Sequence, residues 1–282
     1  MLHRRIFDWC SECAGKTGTK VGEPIKYNLS QEKRQALYNQ IIDGDYLEHY
    51  ICPHCGKRIV GISQNFQYEF LLDMALEDFL DMNYRGAYFN FASAEECFIR
   101  FFNELVLIDA NIDADVVKSI LDISKQSTER EYGAFVCLYS LRFGKKVPNK
   151  KKIKPQGTTN NIIELRNKVI HRGYRPRPEE VQAFGQFVLD FIFETMSLVK
   201  SEFPAETLNE YTDRLLIKRR QEAISWLERN SENTDNVSLA TICGSSIASS
   251  ALQVNGTRKT IEELLKEMHE YRSGFKQHYG VC

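Results

Sequence analysis

The residues best suited to chemistry lie between positions 161 and 174. Arg166, Asn167 and His171 occur close together there, and Gly173 follows them. On a helix that ends before Gly173, Asn167 and His171 share one face, and the long side chain of Arg166 can reach the same rim. An imidazole beside a guanidinium suits phosphodiester cleavage, because the imidazole can transfer the proton of a ribose 2′-hydroxyl and the guanidinium can stabilise charge on the phosphoryl group. Residues of these types also commonly cover a helix surface, and this alternative stays open on chemistry alone.

Four cysteines in two C-x-x-C pairs predict a structural zinc site. The expected ligands are Cys10, Cys13, Cys52 and Cys55. A C-x-x-C turn places two thiolates on one side of the metal, and Gly56 after the second pair lets the backbone turn beneath it. His49 and His54 are alternative ligands, and two unrelated C-x-x-C pairs are the alternative to a metal site. Four cysteines complete a tetrahedral site without a position for a catalytic water, so we expect one structural Zn²⁺ and no catalytic metal.

The segment from Arg142 to Arg177 carries a strong local positive charge. It contains twelve Lys and Arg residues against the single acidic residue Glu164, a net charge of +11, whereas the whole chain has a net charge of −1. Such a surface attracts a polyanion and raises its rate of encounter. The expected RNA-binding residues are Lys145, Lys146, Lys150, Lys151, Lys152, Lys154, Arg172, Tyr174, Arg175 and Arg177. Among them Tyr174 could stack on an unpaired base, and a solvated lysine loop is the alternative for residues 145–154.

Composition excludes several classes of protein. The 282 residues are 43% hydrophobic and 27% charged, which is ordinary for a globular protein and excludes wholesale disorder. The chain begins without the apolar core of a secretory signal, and its longest uncharged run, residues 236–257, is too polar to span a membrane. Its eight cysteines are too dispersed for a disulfide framework. We therefore expect a cytoplasmic protein that has no membrane partner.

Helical periodicity dominates the chain after residue 66. Apolar stripes predict helices within 68–80, 98–106, 116–121, 132–143, 161–172, 179–200, 206–230 and 258–278. The first part of the chain is turn-rich, with one helix predicted over residues 30–42, and there is little strand signal after residue 66. Residues 231–257 are mostly small and, from Asn236 onward, uncharged, which fits either close helix packing or a connector. The expected fold is mainly α, divided into a zinc-ribbon-like module (1–65), a helical domain (66–202) and a C-terminal helical extension (203–282).

The run from Arg166 to His171 resembles the signature of the HEPN superfamily. That signature is an arginine, four to six residues and a histidine, with a polar residue directly after the arginine, here Asn167. Residues 66–202 are also similar to a HEPN domain in their helical pattern, with a long apolar helix after the motif. The resemblance implies a HEPN-type bundle and a metal-independent endoribonuclease that leaves 2′,3′-cyclic phosphate ends. It further implies that Arg166 and His171 are catalytic, that Asn167 supports them, and that two copies form a dimer in which the two motifs meet.

The same resemblance suggests a biological role. Many HEPN proteins act in toxin–antitoxin pairs, abortive infection and phage defence, and the run of Arg166 to Gly173 beside a basic loop is similar to the ApeA-like type. The implied partners are RNA, with tRNA among the candidates, a second copy of the chain, and an antitoxin or a phage-derived trigger. In one toxin subgroup a tyrosine two residues after the histidine is modified, but Tyr174 is three residues after His171, which argues against that regulation.

Two other functions remain open at this stage. Some HEPN domains have lost cleavage and serve as RNA-binding or assembly modules. A zinc-ribbon regulator of transcription would instead bind duplex DNA through the first 62 residues, although these residues are not especially basic.

Overall fold

The computed structural model describes residues 47–52, 55–147, 161–230, 237–242, 247 and 258–279, and these residues are mainly helical. The strands are β1 (Leu47–Ile51), β2 (Arg58–Ser63) and β3 (Val237–Ile242). The helices are α1 (Gln67–Leu80), α2 (Tyr84–Asp109), α3 (Ala114–Ser124), α4 (Thr128–Phe143), α5 (Ile162–His171), α6 (Pro178–Glu202), α7 (Ala205–Asn230) and α8 (Ile261–Tyr279). The prediction of a mainly α protein is confirmed. The helix predicted over residues 30–42 lies outside the described residues.

The chain forms two compact units that are not continuous in sequence. The sheet unit draws its described residues from Met1–Asn65, Thr212–Ser246 and His269–Cys282. The bundle unit comprises the described residues of Phe66–Tyr211 and Ile247–Met268. No helix among the described residues is long and apolar enough to cross a membrane.

The sheet unit contains three paired strands. β1 runs antiparallel to β2, with Leu47 opposite Ile62, and β3 runs parallel to β2 on its other side. The central strand β2 is buried along nearly its whole length, as expected for a strand that has neighbours on both edges. β3 comes from the segment for which the sequence indicated helix packing or a connector. Its six residues lie within a longer run rich in Ser, Ala and Gly, which weakens the strand signal of Val237, Thr241 and Ile242.

The second half of α7 covers one side of this sheet. Val60 and Ile62 of β2 pack against Ala223 and Leu227 of α7. Buried Arg219, also on α7, donates hydrogen bonds from Nη1 to the carbonyl oxygens of Ser63 and Asn65, at 2.5 and 2.7 Å. These bonds fix the chain where it leaves β2, because buried carbonyl groups require partners.

The bundle unit is built around the 26-residue helix α2, which packs against α1, α4 and α6. Aromatic rings fill its interior: Tyr88 stacks on Phe184 at 4.2 Å between ring centroids, and Phe102 meets Phe135 edge-on at 5.0 Å. α2 and α6 approach closely at Gly185, where an added Cβ atom would lie 2.7 Å from the ring of Phe91. The bundle is therefore held mainly by large rings that interlock with small residues.

Arg142 ties the ends of several bundle helices together. Its Nε donates to Asp109 of α2 at 3.0 Å, and its Nη2 donates to the carbonyl oxygen of Glu202 at 2.5 Å. The guanidinium also lies 4.3 Å from the centroid of the Phe203 ring. Thr207 of α7 donates to the same Asp109 carboxylate at 3.0 Å. Arg142 thus has a structural function, although the sequence analysis counted it in the cationic segment.

The segment that precedes α8 and the first turns of α8 belong to the bundle unit. Arg258 forms an ion pair with Asp190 of α6, and its Nε donates to that carboxylate at 3.0 Å. The backbone N–H of Ile261 donates to Oε1 of Gln186 at 2.8 Å, and Leu264 is fully buried. These contacts add the start of α8 to the surface of α6.

Candidate nucleic-acid site

α5 carries the candidate motif, and local signals define both of its ends. Asn161 caps the helix: its Oδ1 accepts from the backbone N–H of Glu164 at 2.9 Å, and the Glu164 carboxylate accepts from the N–H of Asn161 at 3.2 Å. The helix ends at His171, and Gly173 follows with φ +65°, a conformation that glycine adopts at little cost. The Tyr174 N–H then donates to the carbonyl oxygen of Lys168 at 3.1 Å. The predicted helix at the motif is therefore confirmed.

Arg166 lies on the flank of α5 that faces α2. Its Nη2 forms an ion pair with Glu96 of α2, and the side chains are 24% and 31% exposed. Only one edge of the guanidinium takes part in the pair, so other N–H donors are available for a ligand. Sequence analysis missed Glu96, because no motif links two residues so far apart in the chain.

Asn167 and His171 are both exposed. They lie on the side of α5 opposite its buried residues Ile162, Leu165 and Val169, as the helical spacing requires. Arg166 and His171 point about 140° apart around the helix axis. One helix thus holds its arginine against the bundle and presents its amide and imidazole to solvent.

A buried polar region lies near Arg166. Tyr88 is fully buried, and its hydroxyl has no hydrogen-bond partner among the described residues. Burial is the main reason why the pKa of Tyr88 is raised far above its usual value; Glu95 and Glu180 raise it further and Arg166 opposes them. Both glutamates are buried, with 4% and 2% of their surface exposed. Arg166 therefore acts electrostatically on the same buried hydroxyl as the two glutamates, with the opposite sign.

The loop at residues 172–177 connects the motif to α6. The Tyr174 hydroxyl donates to Oε2 of Glu180 at 3.0 Å, and the N–H of Arg177 donates to the same oxygen at 2.9 Å. Burial and this hydrogen bond raise the pKa of Tyr174, in that order of size. The sequence suggests that the ring of Tyr174 could stack on a base, which stays a prediction, and the hydroxyl of Tyr174 anchors the loop to Glu180. Glu180 is a second residue that sequence analysis missed.

Acidic residues from other helices neutralise part of the cationic segment. Nζ of Lys145 lies 3.9 Å from Oε1 of Glu202, and Nη2 of Arg177 lies 3.5 Å from Oε1 of Glu180. Three exposed cations have no ion-pair partner among the described residues: Lys146, Arg172 and Arg175. Four predicted RNA-binding residues lie outside the described residues: Lys150, Lys151, Lys152 and Lys154. The described cationic surface is thus narrower than the sequence count indicated, and it adjoins His171.

Of the second predicted zinc turn, Cys52 and Cys55 are described, whereas Pro53 and His54 lie outside the described residues. Cys52 is buried, its N–H donates to the carbonyl oxygen of Lys57 at 2.8 Å, and Gly56 has φ +69°. Cys10 and Cys13 lie outside the described residues, and the described residues alone contain no group of three or more metal-binding side chains. The four-cysteine zinc site stays a prediction.

Comparisons with protein-family models, with curated proteins and with solved structures give no match. The resemblance to HEPN domains therefore rests on the motif of α5 and on the helical pattern around it.

Proposed function

We propose that this protein is a HEPN-type, metal-independent endoribonuclease that cleaves RNA by attack of a ribose 2′-hydroxyl. The observation that carries the proposal is the arrangement on α5. Arg166 is held by Glu96 on the flank of α5 that faces α2, Asn167 and His171 are exposed on the solvent side of the same helix, and Arg172 and Arg175 follow directly. A fixed guanidinium, an accessible imidazole and nearby cations are the groups that such a reaction requires.

Each motif residue has a defined task in this reaction. The His171 imidazole transfers a proton at the 2′-hydroxyl or at the leaving 5′-oxygen. The N–H donors of Arg166 that do not contact Glu96 stabilise the negative charge that develops on the phosphoryl oxygens. Asn167 orients the substrate or the imidazole through its amide. Because His171 faces solvent, a second copy can place its own α5 opposite, which is the dimer that the HEPN resemblance implies.

The proposed biological role is that of a toxin or abortive-infection effector in phage defence. An RNA-cleaving protein of this kind requires restraint, and residues 1–65 and 203–282 are available to hold an antitoxin or to respond to a phage-derived trigger. RNA, including tRNA, is the proposed substrate class. A structural Zn²⁺ on the four cysteines would stabilise the N-terminal module and take no part in cleavage.

Cleavage of RNA in the presence of EDTA tests this proposal. Wild-type protein should cut total RNA or tRNA and leave 2′,3′-cyclic phosphate ends, and His171→Ala should not cut. His269→Ala is the matched control, because His269 is also an exposed helical histidine, on α8, and is outside the motif. Equal cleavage by wild type and His171→Ala would contradict the proposal.

A non-catalytic RNA-binding or assembly module is the second candidate. It is favoured by the ion pair of Arg166 with Glu96, which gives the arginine a structural role without catalysis. Expression in cells separates the two candidates if the purified protein is inactive. A restrained nuclease should be toxic as wild type and harmless as His171→Ala, whereas a binding module should give the same growth with both.

A further inference from the structure

The loop at residues 172–177 is fixed at several points along its length. Gly173 has φ +65° and starts the loop, and the Tyr174 N–H is bonded back to Lys168 of α5. Pro176 is buried, and the N–H of Arg177 is bonded to Glu180. The path of the loop is therefore set by contacts along most of its length.

Glu180 is the centre of this arrangement. Its carboxylate is 2% exposed and accepts the Tyr174 hydroxyl and the Arg177 N–H on Oε2, while the Arg177 guanidinium lies 3.5 Å from Oε1. A buried carboxylate is stable only while such partners remain in place. Release of the loop would leave Glu180 without two of its donors, so the buried charge keeps the loop in position.

The three arginines of the loop are not equivalent. Arg177 is engaged with Glu180, whereas Arg172 and Arg175 are exposed and have no ion-pair partner among the described residues. Three residues of chain span at most about 11 Å, so both free guanidinium groups can reach one short stretch of a single strand. Guanidinium groups held in this way bind phosphate with less loss of conformational entropy than groups on a free chain.

We propose that residues 172–177 form a preformed phosphodiester-binding loop, in which Arg172 and Arg175 contact the RNA backbone and Tyr174 and Glu180 are positioning residues. This inference rests on the proposed RNA substrate and extends it to a mode of recognition. Contacts to phosphates fix the register of a strand and carry no base specificity. The loop therefore holds RNA of any sequence next to His171, and Arg177 contributes no phosphate contact.

The salt dependence of binding tests this division of roles. The ligand is a 2′-O-methyl oligouridylate, which lacks the 2′-hydroxyl nucleophile and so stays intact with the full wild-type chain. Each phosphate contact to a single strand contributes about 0.7 to the slope of log Kobs against log salt concentration. Arg172→Ala and Arg175→Ala should each lower the magnitude of the slope by about 0.7, and the lysine variants of both positions should retain it. Arg177→Ala is the matched control and should leave the slope unchanged.

Tyr174→Phe tests the positioning role separately. It removes one hydroxyl and no charge, so binding should weaken by about fivefold, the equivalent of one net hydrogen bond, with the slope unchanged. A Tyr174→Phe protein that binds as tightly as the wild type would overturn the positioning role. The assignment of the phosphate contacts would be overturned if Arg172→Ala and Arg175→Ala had the same salt slope as the wild type. It would also be overturned if Arg177→Ala lowered the magnitude of that slope.

Inorganic polyphosphate, used as a second ligand, separates this inference from the proposed function. If polyphosphate binds with a slope that depends on Arg172 and Arg175 but the RNA analogue does not bind, the loop binds phosphate and the proposed RNA substrate is wrong. If neither polyanion binds, the loop inference is wrong. If wild-type protein cleaves RNA but the salt slope of binding is the same in wild type, Arg172→Ala and Arg175→Ala, the nuclease proposal stands and the loop inference is wrong.

Discussion

The three motif residues of α5 have different surroundings: Arg166 pairs with Glu96 of α2, whereas Asn167 and His171 are exposed to solvent. The arginine, asparagine and histidine of α5 lie within two helical turns, so their positions on the helix follow from the sequence. Glu96 and Glu180 belong to other helices, and only the packing of the bundle brings them to Arg166 and Tyr174. Spacing also could not show that Arg166 points to α2 while His171 points to solvent, because that depends on which face of α5 is buried.

The first prediction at this scale concerns Glu96. Glu96→Gln keeps the size of the side chain and weakens its hold on Arg166, so RNA cleavage should fall by about 100-fold, the effect expected of a misplaced catalytic group. Thermal stability should change little, because an ion pair this exposed contributes about 0–1 kcal/mol. Cleavage rates and melting temperatures provide the measurement.

Glu129→Gln is the control for this experiment, since Glu129 is an exposed glutamate in the first turn of α4. It should cleave RNA like the wild type. A Glu96→Gln protein that cleaves RNA as fast as the wild type would show that the function of Arg166 does not depend on the ion pair.

At the scale of elements, the sequence predicted most helices and missed features that depend on small residues. The apolar stripe at 98–106 indicated only the second half of α2, because the first half buries small residues such as Ala87 and Ala92, which give weak periodicity. β3 was missed because its six residues lie inside a longer run of small, uncharged residues, and the strand is recognisable only by its pairing with β2. By contrast, the end of α5 was predicted, because Gly173 and the prolines after it are strong local signals.

Two glycines in different helices provide a prediction about packing. Gly185→Ala in α6 should lower the free energy of unfolding by about 1–3 kcal/mol, because the new methyl group would overlap the ring of Phe91. Gly133→Ala in α4 should raise the same free energy by about 0.5–1 kcal/mol, since no atom lies within 4 Å of the added carbon and alanine favours the helix. Urea unfolding of the two variants measures the difference. A stabilising effect of Gly185→Ala would show that α2 and α6 are less closely packed than described.

At the scale of the whole molecule, the mainly helical fold was predicted correctly, whereas the predicted local charge left out acidic residues from other parts of the chain. A count along residues 142–177 cannot include the acidic residues that approach from elsewhere, and Asp109, Glu202, Glu96 and Glu180 each pair with a cation of this segment. Net charge in a window of sequence therefore differs from the charge that a ligand meets in the folded protein. Among the described residues of this segment, the positive charge that has no ion-pair partner lies at Lys146 and on the loop after His171.

Buried tyrosines lead to a prediction about alkaline stability. The pKa values of Tyr68 and Tyr88 are raised, mainly by burial. Above about pH 10 a tyrosine in the unfolded chain loses its proton, whereas a buried tyrosine in the folded protein keeps it. The contribution of these protonated tyrosines to the free energy of unfolding is therefore fully present below about pH 10 and is lost as the pH rises further. Tyr88→Phe removes one such group and also a buried hydroxyl that has no hydrogen-bond partner among the described residues. It should raise the free energy of unfolding by about 1 kcal/mol at pH 7, and its advantage over the wild type should grow above pH 10.

Urea unfolding at pH 7 and pH 10.5 measures both effects. Glu129→Gln retains every tyrosine and should follow the wild type at both pH values. A difference between Tyr88→Phe and wild type that is the same at both pH values would show that Tyr88 ionises freely in the folded protein.

The discontinuous bundle unit has a consequence for the time course of synthesis. Residues Phe66–Tyr211 leave the ribosome first, and the other part of the unit, Ile247–Met268, follows only after the intervening segment. At about 5–20 residues per second, the ribosome takes roughly 3–11 s to pass from codon 211 to codon 268. During this interval the surface of α6 that receives Arg258 and Ile261 stays uncovered. The motif on α5 is thus synthesised before the bundle unit can fold completely. A nascent chain cannot complete this unit until the ribosome has translated residues 247–268.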